Sequence, residues 1–152
     1  MSIRRIVVGV DGSPNAAHAL SWAAELALAL GAEVVAVHAV DPRLFVPVVE
    51  TLGPPPPPAV GREWYDEVRD AFERDWVSPL RAAGVRHRTV FLDGSPAPSV
   101  VDVAEEENAD LVVVGSRGRG GFAGLVLGSV STWVMHHARR PVVVVPEAQA
   151  RD

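Results

Sequence analysis

Cysteine and lysine are both missing from the 152 residues, and all 14 basic side chains are arginine. Without cysteine there are no disulfides, no thiol chemistry and no cysteine-based zinc sites. That usage fits a reducing, cytoplasmic setting. Without lysine, a phosphate-binding loop that depends on an ammonium group is excluded. Long apolar runs are missing too. The N-terminal run from Ile6 stops at Asp11, too short for the core of a secretion signal or for a spanning helix. Excess positive charge is also lacking: the net charge is −5, which gives no electrostatic footprint for nucleic acid or an anionic membrane surface.

What is present is ordinary for a globular chain: 48% hydrophobic and 22% charged residues. The length suits one domain over residues 1–152. Short β-branched runs bounded by turn residues recur at 5–10 (RIVVGV), 33–40 (EVVAVHAV), 88–92 (RTVFL), 110–115 (DLVVVG) and 141–145 (PVVVV). Near-continuous runs of this kind are strands buried on both faces of a parallel sheet. Helical spacing fills the gaps. Over 14–30, Ala17, Leu20, Ala24, Ala27 and Leu28 repeat at three and four residues, with Ser13 as N-cap, Pro14 at the first position and Gly31 as C-terminal cap. A second helix is predicted over 62–83, striped by Val68, Phe72, Trp76 and Leu80, a third over 96–107 and a fourth over 129–139. Strands alternating with helices imply right-handed βαβ units and a doubly wound α/β fold.

Two local features stand apart. Residues 41–61 are irregular and contain GPPPPP at 53–58, a stiff spacer or lid rather than helix or central strand, with a docking site for a proline-reading module as the alternative. The tetrapeptide DGSP occurs at 11–14 and again at 93–96. Ser-Pro opens a helix well, which by itself explains both copies.

The segment GSRGRGGFAGLVLGS at 115–129 holds six glycines in its first fourteen positions. It leads from the carboxyl end of a strand to a helix N-terminus, where unpaired N–H groups and the positive end of the helix dipole attract anions. Glycines let the backbone turn N–H groups inward as a nest and let phosphate oxygens approach closely. Ser129 and Ser131 offer hydroxyl donors, Arg117 and Arg119 offer charge, and Phe122, Leu125, Val126 and Leu127 are apolar anchors for the loop. A bland flexible loop is the competing reading. The segment is neither a Walker A loop, which needs lysine, nor a G-x-G-x-x-G fingerprint, since Gly118, Gly120 and Gly121 have the wrong spacing and follow the fourth strand.

The spacing Gly115-x2-Gly118-x9-Gly128-Ser129 resembles the ATP-binding signature of the universal stress protein family. IVVGVDGS at 6–13, VVAVHAVD at 34–41, ADLVVVGSRGRGG at 109–121 and RRPVVVVP at 139–146 agree with that resemblance in order. It implies an open five-stranded parallel sheet of order 3-2-1-4-5 with helices on both faces. It also implies an adenine-nucleotide site at the switch point where the first and fourth strands end. On this resemblance Asp11 contacts the adenosine end, Gly9 and Val10 border the nucleoside, and backbone near Ala39 lines the adenine pocket. Gly115, Arg117, Gly118, Gly128, Ser129, Val130 and Ser131 surround ribose and phosphates, Arg119 falls in a variable stretch, and Asp93 lies off the site. For Asp11, simple capping of the first helix remains the alternative.

No catalytic residue and no protein metal site is assigned. His136 and His137 are adjacent and so face different ways on a helix. His38 reads as a hydrogen-bonded core residue, and His18 and His87 have no evident partner. The resemblance implies an ATP-binding, regulatory stress-response protein of the cytoplasm. Mg²⁺ or Mn²⁺ would accompany the phosphates, and a homodimer would form through the edge strand at 141–146, whose unpaired apolar edge needs a partner. A slow ATPase or nucleotidyl-transfer enzyme, and a cyclic-AMP-binding protein, stay open beside it.

Overall fold

The computed structural model describes residues 1–41, 58–118 and 127–149. The prolines at 54–57, Arg119 and the loop anchors Phe122, Leu125 and Val126 lie outside those residues.

Strands β1 (Arg5–Gly9), β2 (Glu33–Val40), β3 (His87–Asp93), β4 (Leu111–Gly115) and β5 (Val142–Val145) form one parallel sheet of order β3-β2-β1-β4-β5. Helices α1 (Pro14–Leu30), α2 (Pro58–Ala71), α3 (Ser78–Ala83), α4 (Pro96–Glu106) and α5 (Ser129–His137) connect them. Side chains alternate across the pleat, yet both alternating sets are apolar, because both faces are covered. Ile6, Val8, Val34, Ala36 and Val113 pack with Leu20, Phe72, Val77 and Leu80 under α1 and α3. Val7, Val35, Val37, Val112 and Val114 pack with Val100, Ala104 and Val134 under α4 and α5.

The helix starts follow the chemistry read from the sequence. The Ser13 hydroxyl accepts the Ala16 N–H at 3.1 Å, Pro14 stands in the first turn, and Gly31 caps the other end in the left-handed region at φ 67°. The single helix predicted over 62–83 is not what forms. Helix α2 starts earlier, at Pro58, the last proline of the run, whose missing N–H costs nothing in a first turn. It then passes through a π-helical turn, Phe72–Trp76, where the Val77 N–H donates to the Phe72 carbonyl at 3.2 Å, before α3 begins. Pro79 explains the break: it has no N–H to continue the ladder, and its ring would meet the carbonyl four residues back. The extra residue of the π turn keeps Phe72 and Leu80 pointing inward, both fully buried.

At the amino ends of the strands, Arg5 and Arg88 interleave with Glu33 and Glu107. Arg5 reaches Glu33 at 3.2 Å and Glu107 at 3.5 Å, and Arg88 reaches Glu33 at 3.0 Å and Glu107 at 2.5 Å. Beside them the Asp110 carboxylate accepts the backbone N–H groups of Arg4 and Arg5 at 2.8 and 3.0 Å, pinning the start of β1 to that of β4. The hydrogen bond from Arg88, with the charges of Arg88 and Arg5, holds the Glu107 carboxyl below its ordinary value of 4.5. A group depressed on folding adds stability above its unfolded pKa and loses it as pH falls through the folded one. Arg88 is 46% exposed, so screening keeps the contribution to about 1 kcal/mol at most. Urea unfolding of Glu107→Gln is therefore expected to show a small deficit against the parent at pH 7. That deficit should disappear as pH is lowered from 4.5; a deficit that persists in acid would place the effect in packing instead.

Candidate functional site

The chain leaves β1 toward the α1 face and leaves β4 toward the α5 face, so a gap opens beyond their carboxyl ends. A crevice of about 370 Å³ occupies it. One wall is apolar, from Val37 and Ala39 on β2 and Pro96 and Val100 on α4; the other is polar, from Gly115 at the end of β4, Arg117 and Gly118 just after it, and Ser129, Val130 and Ser131 opening α5. Gly9, Val10 and Asp11 form the floor between them. Of the site residues assigned from the resemblance, all line this crevice except Gly128, which sits one residue before α5; Arg119 lies outside the described residues.

Close approach, not unusual backbone conformation, accounts for these glycines. A Cβ on Gly118 would stand 2.6 Å from Asp11 Oδ2. One on Gly128 would stand 3.3 Å from both Arg117 Cα and the Ser116 carbonyl oxygen. One on Gly9 would stand 3.2 Å from Val100 Cγ2, so Gly9 also serves the packing of α4 on β1. Among the described residues, positive φ occurs at Gly12, Gly31, Gly84, Gly94 and Asn108 and at no glycine of this loop. At Gly115, Gly118 and Gly128 the backbone is therefore not left-handed; the nest expected of the segment 115–129 falls mainly on residues 119–126, outside the described residues.

The polar wall is built by hydrogen bonds on the Ser116 carbonyl, which accepts the Gly128 N–H at 2.6 Å and the Ser131 hydroxyl at 3.0 Å. The Ser131 hydroxyl also lies 3.0 Å from the Gly128 carbonyl, and the residue is 1% exposed. Its proton is thus directed to main-chain carbonyls, which corrects the expectation that it serves as a ligand donor. Gly128 provides no side-chain cap, and the Thr132 N–H is the first to enter the α5 ladder, donating to the Gly128 carbonyl at 3.1 Å. The N–H groups of Ser129, Val130 and Ser131 precede that ladder and carry the positive end of the dipole at the crevice wall.

Asp11 has two roles in view. Its Oδ1 accepts the Ser13 N–H at 2.9 Å in a turn that sets up the α1 cap, while Oδ2 faces Gly118 across the floor. The helix-capping alternative is thus realised in part, on one oxygen. The DGSP echo has the same local form twice, with a proline opening each helix. Its second copy differs at the cap: the Ser95 hydroxyl donates to Asp41 at 3.4 Å instead of capping α4. Asp93 is off the crevice and bonds the Tyr65 hydroxyl, an interaction that pushes the Tyr65 phenol above its ordinary range.

His38 contributes to the crevice from the strand, while its ring turns to the opposite face, among Phe72, Trp76 and Phe91 at 5.8, 4.9 and 5.7 Å. Its Nδ1 donates to the Val10 carbonyl at 2.7 Å, tying the end of β1 to β2. Among the described residues no three histidine or acidic side chains converge as a metal cage. The sequence analysis did not name the apolar wall residues Val37, Pro96 and Val100, nor Asn15 and Ser116, which are buried behind the polar wall. A carboxamide in the first turn of a helix rich in alanine and leucine was the available signal for Asn15.

A sequence profile described as the universal stress protein family matches residues 2–146. The chain is 32% identical over 149 residues to universal stress protein MJ0531 of Methanocaldococcus jannaschii, covering 93% of this chain and 81% of that protein. It is 36% identical over 144 residues to universal stress protein Rv2623 of Mycobacterium tuberculosis, covering 92% of this chain and 46% of the relative. The chain thus spans about half the length of that mycobacterial relative. Among solved structures, a universal stress protein in complex with cAMP is similar at TM-score 0.68 and 27% identity, over 97% of this chain and 100% of that one. The universal stress protein from Archaeoglobus fulgidus in complex with dAMP is similar at TM-score 0.68 and 27% identity, over 95% and 99%.

Removing the Ser131 hydroxyl tests how the wall is held. The Ser116 carbonyl would keep its bond from Gly128, so Ser131→Ala is expected to cost only the net value of one hydrogen bond, about 1 kcal/mol, in urea unfolding. No measurable loss would mean that the hydroxyl bonds contribute nothing to holding the wall.

Proposed function

Because the chain belongs to the universal stress protein family, we propose that its crevice binds an adenine nucleotide, with ATP as the principal ligand, in a regulatory stress-response role in the cytoplasm. The observation that carries this reading is the pairing of one apolar wall with a wall made of a helix N-terminus, at the strand switch point. The apolar side, Val37, Ala39 and Val100, suits a base, and the amides of Ser129 and Val130 suit phosphate oxygens. Arg117 adds a cation to that side. The similar proteins solved with cAMP and dAMP support the adenine class, and cyclic AMP is the second ligand to test.

Mg²⁺ or Mn²⁺ would enter with the phosphates. Asp11 is the sole carboxylate along the crevice among the described residues, and one of its oxygens is engaged by Ser13. The ion would accordingly be held by phosphate oxygens and water, as Mg²⁺ commonly is. No helix among the described residues is long and apolar enough to cross a membrane.

Thermal unfolding with ATP·Mg²⁺, cyclic AMP and GTP tests the reading. At about a hundred times Kd, a ligand adds about 2.7 kcal/mol, a Tm rise of about 5–10 °C for a domain of this size. ATP or cyclic AMP should give it and GTP should not. Gly128→Val, which drives a side chain into the backbone at Ser116 and Arg117, and Gly118→Ala, which displaces the Asp11 carboxylate, should each abolish it. A full shift in both variants would remove the phosphates from this wall.

The homodimer is proposed at β5. It is an outer strand of the sheet, and Val142, Val143 and Val144 stay partly exposed on it. Pairing with a second copy would cover these residues and satisfy the open edge. Sedimentation velocity should give twice 16.2 kDa at micromolar concentration; a monomer throughout would overturn this assignment without touching the nucleotide site.

A further inference from the structure

We propose that Asn15 is the positioning residue of the phosphate-facing loop, a role that rests on the nucleotide reading above. Asn15 is 7% exposed, in the first turn of α1, and is not among the residues that line the crevice. Its carboxamide is nevertheless bonded to the chain on either side. Oδ1 accepts the Arg117 N–H at 2.8 Å and the Ser116 hydroxyl at 3.2 Å, and Nδ2 donates to the Val145 carbonyl at 3.3 Å. That carbonyl also accepts the Ser116 N–H at 2.8 Å. One side chain thus joins α1, the chain leaving β4 and the end of β5.

The chemistry demands a carboxamide. The Arg117 amide needs an acceptor and the Val145 carbonyl needs a donor, and asparagine presents both from one short side chain. The network also fixes which way the amide points, since the flipped form would set NH2 against N–H and oxygen against oxygen. Gly115 agrees independently: a Cβ there would lie 3.0 Å from Asn15 Oδ1, so this position is glycine to admit the carboxamide. Ser116 and Arg117 are then clasped from two sides, by Asn15 from α1 and, at the Ser116 carbonyl, by Gly128 and Ser131 at the start of α5. The Arg117 amide is consumed in the clasp, leaving the Arg117 side chain and the α5 amides to meet an anion.

Asn15→Ala in the full chain decides the matter through two readouts. Hydrogen exchange of the ligand-free protein should show the Arg117 amide exchanging at least tenfold faster than in the parent. Titration calorimetry should show ATP·Mg²⁺ binding weakened tenfold or more, with adenosine affinity changed less than twofold, because only the phosphate wall has moved. Asn15→Asp, which keeps an acceptor for Arg117 but sets a second oxygen against the Val145 carbonyl, should protect Arg117 more than Asn15→Ala does and less than the parent. Should Asn15→Ala not fold, Asn15→Ser, whose hydroxyl is too short to reach Arg117, must give the same pattern. Unchanged Arg117 exchange, or equal losses for ATP and adenosine, overturns the proposal. A parent protein that binds neither ATP nor adenosine overturns the nucleotide reading instead, and the exchange result then judges Asn15 alone.

Discussion

The side-by-side pairing of β1 and β4 is the constraint from which the rest of the molecule follows. Ile6, Val7 and Val8 lie in register with Leu111, Val112 and Val113, although more than a hundred residues separate them in the chain. Parallel strands need long crossovers, and right-handed crossovers put α1 on one face and α4 and α5 on the other. The two strands therefore discharge their chains in opposite directions. A gap at their carboxyl ends is unavoidable, open to side chains, water or a ligand. Asp110 secures the other end of the same pair through the amides of Arg4 and Arg5, so the geometry is fixed at both ends of the strands.

At Gly115, Gly118 and Gly128, the described glycines of this segment, the need for glycine is a question of distance. At Gly115 a neighbour from α1 is too near, at Gly118 the Asp11 carboxylate is, and at Gly128 the loop's own backbone is. Alanine would crowd Asn15 at position 115, the Asp11 carboxylate at 118 and the loop's own backbone at 128. The cost of glycine in backbone entropy is offset by bringing three chain segments within contact of one small volume. Its value there does not come from left-handed φ.

The strands and most helix limits were legible because their causes are local. Both-face burial writes itself as unbroken valine runs, and capping chemistry marks Pro14–Leu30 at both ends. The sheet order was carried by the family resemblance, since no run of valines says which strand lies beside which. The predicted helix over 62–83 failed for a reason visible in hindsight: a stripe repeating every fourth residue drifts on a 3.6-residue helix, and Pro79 forbids continuation. In the crevice, the residues on the surface of the wall were named through the family resemblance, and they do line the cavity. Those behind it, Asn15 and Ser116, depend on contacts between distant parts of the chain that no local pattern records.

The Val145 carbonyl joins two parts of the molecule that are usually considered separately. It closes β5, the outer strand available for pairing, and it accepts hydrogen bonds from both Ser116 and Asn15 behind the crevice. Strand β5 is four residues long and is held to the sheet only through β4, so its end is placed by the same atoms that place the loop. A displacement of Ser116 would have to be shared with β5 or would break one of these bonds. The polar wall of the crevice and the outer edge of the sheet are consequently joined through one carbonyl, by polar bonds that are stronger in a low-dielectric interior than in water.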